Sequence, residues 1–386
     1  MSHLCHRPAC ASFRARMFSR LFFAVLMIVA GRAGAIPREA EDIARQLERI
    51  REAHHLPALA GAAVDEGEIV AIGATGSRRV DADEPVTRED KWHIGSCTKS
   101  MTASVCAMLV EDGKMRWDMT LGEVFPDLKK TMAPAWRAVK LEQLLVHRGG
   151  APHEPPADLW AAAKKREGTP TEQRWDFVKG LLAHHPERTP GTHWEYSDCG
   201  YAMVGAMMER VTGEAWEDLM RERLFIPLGL KSAGFGEPAA VGSVDEPWGH
   251  RGDEHPFHPV PPGPLADNPP AIGPAATIHC SISDFARYAA WQVSGARGDA
   301  WLLKPESFEK LHTPPDGQEY AMGWAVTKRR WAGGVALMHN GENEMFYALM
   351  WLGPNENTCF VAACNCDGFE AEAACDEAIR MMINRF

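Results

Sequence analysis

Apolar residues along this chain switch between two periods, and the switches mark its elements. Ile43, Leu47 and Ile50 fall at i, i+4 and i+7, which predicts an amphipathic helix over 38–54. Two short apolar runs follow, Ala58–Val64 and Ile69–Ala74, parted by Asp65-Glu66-Gly67, the pattern of a hairpin. Trp92-His93-Ile94-Gly95 then leads into a helical run with Met101, Val105, Met108 and Leu109, stopped by Asp112-Gly113. From about 118 to 240 the chain reads as mainly helical, with its clearest helix at Tyr201–Glu209 and another at Trp216–Leu224. A dense Pro/Gly stretch over 245–275 is too long for a simple connection and marks a functional or mobile loop. Helices are expected next at Ser283–Val293 and Pro305–Leu311. Strands are expected at Tyr320–Thr327, Val335–His339, Met345–Leu352 and Cys359–Cys364, and a last helix at about Ala371–Ile383. Strands therefore sit at both ends and helices in the middle. The simplest architecture is one layer built from both termini around a helical insertion.

The first 35 residues fall outside that scheme. Arg14, Arg16 and Arg20 precede the apolar run Leu21–Ala30, and Ala33-Gly34-Ala35 follows it. That order is a secretory signal, with Met17 the more ordinary start. Ten apolar residues fall well short of the roughly 20 that cross a bilayer. The signal changes the charge picture. The 386 residues carry 41 Lys+Arg and 52 Asp+Glu, net −11. Residues 1–35 hold five of the Arg and no acid, so the remainder has 36 basic and 52 acidic residues, net −16. Such a surface argues against a nucleic-acid partner. With 45% hydrophobic and 24% charged residues, the rest reads as a soluble globular body rather than a disordered or polytopic chain. Eight of the ten Cys lie beyond residue 35, far below the density of a disulfide scaffold, and they are expected to be mostly free or core thiols.

Ser96-Cys97-Thr98-Lys99 is a Ser-x-x-Lys at the start of a predicted helix. Positions i and i+3 share a helical face, so Lys99 would lie beside Ser96. A hydroxyl attacks a carbonyl only when a neighbouring base takes its proton. The tetrapeptide recurs at Ser307–Lys310, in a charged segment that reads as a solvated helix face. Cys97 is an alternative nucleophile with His339 as its base, but one residue turns it about 100° around the helix from Ser96. His250, His255 and His258 cluster in the Pro-rich loop without Cys or paired acidic residues, so no metal site is expected. Trp248, in the same loop, is expected to pack or to touch substrate at the edge of the cleft.

The residues around Ser96 distinguish it. Ile94–Ala103 resembles the nucleophile helix of the serine β-lactamase and penicillin-binding protein superfamily, in its class C-like branch of β-lactamases, esterases and D-amino-acid peptidases. Leu141–Gly150 (LEQLLVHRGG) is similar to the Leu-Leu-x-His-x-(Ser/Gly)-Gly segment of that family. Trp194–Tyr201, running into Phe225-Ile226-Pro227-Leu228-Gly229-Leu230, resembles its Tyr-x-Asn element and following helices. His339-Asn340-Gly341 stands where the family has Lys-Thr-Gly or His-x-Gly on a strand at the active site. The resemblance covers about 40–383.

It implies an α+β, β-lactamase/transpeptidase-like fold: an antiparallel sheet flanked by helices with a mainly helical inserted domain. The expected division is a signal at 1–35, a first α/β part at 36–117, the helical insertion at 118–240, and the Pro-rich loop with the second α/β part at 241–386. It also implies roles. Ser96 is the nucleophile, Lys99 holds Tyr196 as a partial phenolate that accepts the Ser96 proton, and His339 faces Tyr196 as proton relay or substrate partner. The backbone N–H groups of Ser96 and Glu342 form the oxyanion hole. Asp198, Asn340 and Gly341 contact substrate. Position 198 departs from the pattern, since Asp stands where the family has Asn. An ionised Asp accepts hydrogen bonds but donates none, and it should keep Lys99 protonated. The expected function is an exported, periplasmic or extracellular serine hydrolase of esters or amides, acting on a small-molecule or peptide substrate without cofactor or metal and without stable membrane insertion. A β-lactamase or D-Ala-D-Ala carboxypeptidase is the first alternative, and a catalytically silent penicillin-binding-like module the second.

Overall fold

The computed structural model describes residues 39–252, 256–299 and 301–386. The predicted signal segment and His255 lie outside them. Seven strands form the main sheet: β1 (Glu41–Asp42), β2 (Ala58–Asp65), β3 (Glu68–Gly76), β4 (Ala325–Arg329), β5 (Gly334–Glu342), β6 (Tyr347–Gly353) and β7 (Thr358–Cys364). Their order is β1-β3-β2-β7-β6-β5-β4, antiparallel throughout except where β1 runs parallel to β3. Strands from both ends of the sequence meet where β2 pairs β7, with Ala62 opposite Val361. Both faces of the sheet are covered, so these central strands read as continuous apolar runs rather than alternating ones.

Six longer helices matter here: α1 (Ala44–Ala53), α2 (Thr98–Glu111), α3 (Pro170–Ala183), α4 (Asp198–Thr212), α5 (Ile282–Ala296) and α6 (Phe369–Ile383). The first differs from the predicted 38–54, because Glu41 and Asp42 extend the sheet and helical geometry starts only at Ala44. α1 and α6 bury Leu47, Ile50, Ile379 and Met382 against one face of the sheet, with Leu59 and Phe360. The larger core lies on the opposite face, where α2 and α5 pack.

α2 is buried on nearly every side, not on the one apolar stripe that Met101, Val105 and Met108 suggest. Its hydroxyls make this tolerable because they find partners. Thr102 Oγ1 donates to the Pro274 carbonyl at 2.7 Å, and Tyr288 Oη donates to Ser100 Oγ at 2.9 Å. Gln292 Nε2 donates to Ser104 Oγ at 2.8 Å. α4 starts at Ser197, whose Oγ accepts the Gly200 N–H, and stops at Gly213 in the left-handed region.

The run predicted as a strand from Tyr320 is strand only from Ala325. Gly323, at φ +82°, bends the backbone against Ser100, so Tyr320 sits in a buried irregular segment before β4. A smaller three-stranded sheet joins Lys91–His93, Ile278–Ser281 and Gly234–Phe235. It delivers the chain directly to Ser96. Among the described residues, no helix is long and apolar enough to cross a membrane.

Candidate active site

Ser96 lies in a single turn of 3₁₀ helix, Gly95–Cys97, that opens α2. Lys99 follows one turn on, fully buried. Its Nζ donates to Ser96 Oγ at 2.8 Å and to the Ala275 carbonyl at 3.2 Å, and stands 2.6 Å from Asp198 Oδ1. Burial alone would pull the ammonium down, but Asp198 and Tyr196 outweigh it and Lys99 titrates above its ordinary value. A lysine held as a cation cannot itself take the serine proton.

Tyr196 is placed next to it by the turn before α4. The Lys99 ammonium is 4.6 Å from the centre of the Tyr196 ring. Burial raises the phenol above its ordinary value, Lys99 pulls it down, and Asp198 pushes it up again. The net direction is upward, so the resting site holds a neutral phenol rather than the partial phenolate expected from sequence. Burial is the main reason, and Asp198 adds to it because its carboxylate offsets the Lys99 charge that would otherwise stabilise the phenolate.

The fourth residue faces Tyr196 from its strand. His339 lies on β5 with its ring buried. Its Nε2 shares a proton with Tyr320 Oη at 2.9 Å, and its Nδ1 lies 2.5 Å from the Asn340 carbonyl. Burial, reinforced by the Lys99 cation, drives its pKa to about 3. The Tyr196 and His339 rings are 6.4 Å apart between centres, and Tyr320 stands edge-on to Tyr196 at 6.3 Å. His339 is therefore neutral and bonded to Tyr320, a partner that the strand reading of 320–327 hid. His147 completes the aromatic wall, 4.5 Å from Tyr196 and 4.7 Å from Tyr320 between ring centres, and its Nδ1 accepts the Ser197 N–H.

Gly341 and Gly95 bring β5 against the nucleophile turn. A Cβ on Gly341 would come within 2.5 Å of the Ser96 nitrogen, and one on Gly95, at φ +48°, within 2.3 Å of the Glu342 nitrogen. Only glycines permit this approach. It brings the backbone nitrogens of Ser96 and Glu342 close to one another. β4 pairs with β5 only as far as Met338, so from His339 onward that edge of β5 lies open beside Ser96.

Two arms of a cleft meet at Ser96, Tyr196 and Glu342. One, about 260 Å³, is lined by Glu154, Trp160, Asp198, Asn268, Asn343 and Glu344. The other, about 310 Å³, is lined by Trp194, Tyr320, Met338, His339, Asn340 and Gly341. Neither lining includes Lys or Arg. Their sizes suit a small ligand or part of a peptide.

The rival motifs disperse. Cys97 is buried, its thiol is pushed up by desolvation, and its Sγ faces the His339 carbonyl at 3.5 Å. Ser307 and Lys310 serve ion pairs and hydrogen bonds to Glu111 and Glu142. His250 is buried between the Asn365 carbonyl and the Val80 N–H, and no group of three metal-ligating side chains occurs among the described residues. Trp248 packs under Arg79, away from the cleft.

The profile of the family described as Beta-lactamase matches residues 43–381. The chain belongs to this family. Curated relatives include penicillin-binding protein 4 of Amycolatopsis lactamdurans, 29% identical over 48% of this chain and 46% of that protein. The unguisins hydrolase of Aspergillus campestris is 25% identical over 74% of this chain and 54% of its own length. The lovastatin esterase of Penicillium rubens is 28% identical over 44% of this chain and 46% of its own length. The chain thus spans about half the length of these relatives. Among solved structures, the octameric penicillin-binding protein homologue from Pyrococcus abyssi superposes with a TM-score of 0.71 at 22% identity, over 88% of this chain and 77% of that one. A D-alanine carboxypeptidase from Burkholderia cenocepacia gives 0.69 at 19% identity, over 89% and 97%. These place the β-lactamase/transpeptidase-like α+β fold expected from the sequence.

Proposed function

We propose that the chain is an exported serine hydrolase that cleaves an ester or amide through an acyl-enzyme on Ser96. The observation that carries this reading is the buried Lys99 ammonium, aimed at Ser96 Oγ and flanked by Tyr196. A core spends no buried cation on a serine hydroxyl for stability alone. Ser96 Oγ attacks the carbonyl carbon and gives its proton to the ionised form of Tyr196, which Lys99 stabilises. The carbonyl oxygen gathers charge between the N–H groups of Ser96 and Glu342. Collapse expels the leaving group, which takes the proton from Tyr196, and water then releases the acyl group by the same route. His339 and Tyr320 hold the aromatic arm, while Asp198, Asn340 and Gly341 border the scissile bond. Export rests on the basic, apolar and small-residue order of residues 14–35.

A β-lactamase or D-Ala-D-Ala carboxypeptidase must hold a substrate carboxylate. The described cleft lining offers no Lys or Arg for one, and its first arm is acidic. Esters and uncharged or cationic amides fit it better. Turnover of p-nitrophenyl acetate and labelling by a fluorescent penicillin, each against Ser96→Ala, separate the readings. Ester turnover lost in the variant supports the hydrolase, and labelling without ester turnover points to the peptidase. Neither signal from folded protein leaves the silent module.

A further inference from the structure

Behind the two N–H groups lies a second set of buried polar residues with no part in the chemistry above. His93 ends the strand Lys91–His93, and its ring is fully buried. The Gly95 N–H donates to its Nδ1 at 3.1 Å. With Nδ1 accepting, the ring proton sits on Nε2, which lies 2.7 Å from Asp267 Oδ1 as a close polar contact outside hydrogen-bond alignment. The same carboxylate oxygen accepts from Asn343 Nδ2 at 3.4 Å, while Asn343 Oδ1 accepts the Phe346 N–H at 3.0 Å. Arg166 donates to the backbone carbonyls of Asp267 and Asn268 and pins the loop that carries them.

Position explains the set. Gly95 directly precedes Ser96, and Asn343 directly follows Glu342. Asp267 therefore ties together the residues beside the two N–H donors, with Asn343 reaching it from the cleft and His93 from the buried side. The other oxygen, Asp267 Oδ2, is buried without a hydrogen bond. An apolar filling would be cheaper for stability than a buried carboxylate left half satisfied, so stability alone does not account for the arrangement. Catalysis does, because donors aimed at a developing oxyanion act only if they are held in place beforehand.

The geometry points to His93, Asp267 and Asn343 as positioning residues that lock Gly95–Ser96 to Glu342–Asn343 and so set the spacing of the oxyanion-hole donors. This rests on the acyl-enzyme reading of Ser96. Three substitutions probe it. His93→Gln keeps a donor near Asp267 but loses the acceptor for Gly95. His93→Asn keeps the acceptor and loses the donor. Asp267→Asn retains the shape and removes the charge. For each, kcat and KM on p-nitrophenyl acetate are measured beside the affinity for phenylboronic acid, whose adduct with serine is tetrahedral, and Tm reports folding. Expected is a fall in kcat of about 30-fold or more in His93→Gln and Asp267→Asn, with KM within about threefold and boronate affinity falling in parallel with kcat. His93→Asn should be milder. If His93→Gln does not fold, Asn343→Ser removes the same cross-link from the cleft side. Retention of wild-type kcat and boronate affinity in the folded variants overturns the proposal alone. A wild-type protein that neither turns over ester nor binds boronate overturns the acyl-enzyme reading and this proposal with it.

Discussion

Asp198 is the residue at which the sequence departs from the family motif it resembles, and its effect is electrostatic. At 2.6 Å from Lys99 and with 36% of its side chain exposed, it consumes the cationic charge that would lower the Tyr196 phenol. The base form of Tyr196 is the active one, so activity should rise with pH into the alkaline range. Removing the carboxylate leaves the Lys99 charge free to act on Tyr196. Asp198→Asn should shift the inflection of kcat/KM to lower pH by about 1–2 units, the scale of a charge removed at this distance. The same variant regains an amide donor toward a substrate acylamide, so cephalosporin turnover should rise as well. A pH–rate profile that superposes on the wild type would show that Asp198 does not govern the base.

Among the elements, the decisive contact is between β5 and the nucleophile turn. Gly341→Ala would push a methyl into the Ile94 carbonyl and the Ser96 nitrogen, both backbone atoms that cannot turn aside. Either β5 or the turn must move, and the oxyanion donors separate. The expected result is a loss of about 100-fold or more in kcat with the fold retained, measured beside the circular dichroism melt. This contact also divides what the sequence disclosed from what it hid. Ser96, Lys99, Tyr196 and the His339–Gly341 segment were legible because each sits in a local pattern of spacing and neighbours. Tyr320 was not. Its run is apolar enough for a strand, and only Gly323 bends it toward His339. His93, Asp267 and Asn343 were equally hidden, since their partnership crosses three distant segments that only the folded chain brings together. The start of α1 was misjudged because Glu41 and Asp42 gain more by extending the sheet beside β3 than by a further helical turn.

At the scale of the whole molecule, five histidines held below their ordinary value dominate the response to acid. His147, His250, His279, His312 and His339 are all held well below the ordinary histidine value, each chiefly by burial, with His250 and His279 at about 4 and His312 and His339 at about 3. Below about pH 6.5 the unfolded chain protonates these rings while the folded chain does not. Stability therefore falls as pH drops from about 6.5 toward 4, with unfolding taking up several protons. His54 runs the other way. Burial pulls it down, but Glu370 and Glu377, at 2.6 and 3.1 Å, raise it overall, so its contribution is present at low pH and fades as pH rises through its folded value. Asp367, raised to about 7 by burial, and Glu209, raised chiefly by burial, act in the same sense as His54, so three groups oppose five and the acid side is still the weaker. Thermal melts between pH 4.5 and 7.5 should show a steep loss below 6.5, and a flat profile over that range would contradict the burial of these rings as neutral groups.

The claim on which all of this depends is that Ser96 becomes acylated. The direct measurement is intact-mass spectrometry of the protein quenched during turnover of an activated ester, followed by peptide mapping. The account predicts one acyl group per chain, on the peptide carrying Ser96, and its absence in Ser96→Ala. An adduct on Cys97 or Ser307 instead, or ester turnover that persists in Ser96→Ala, would contradict it.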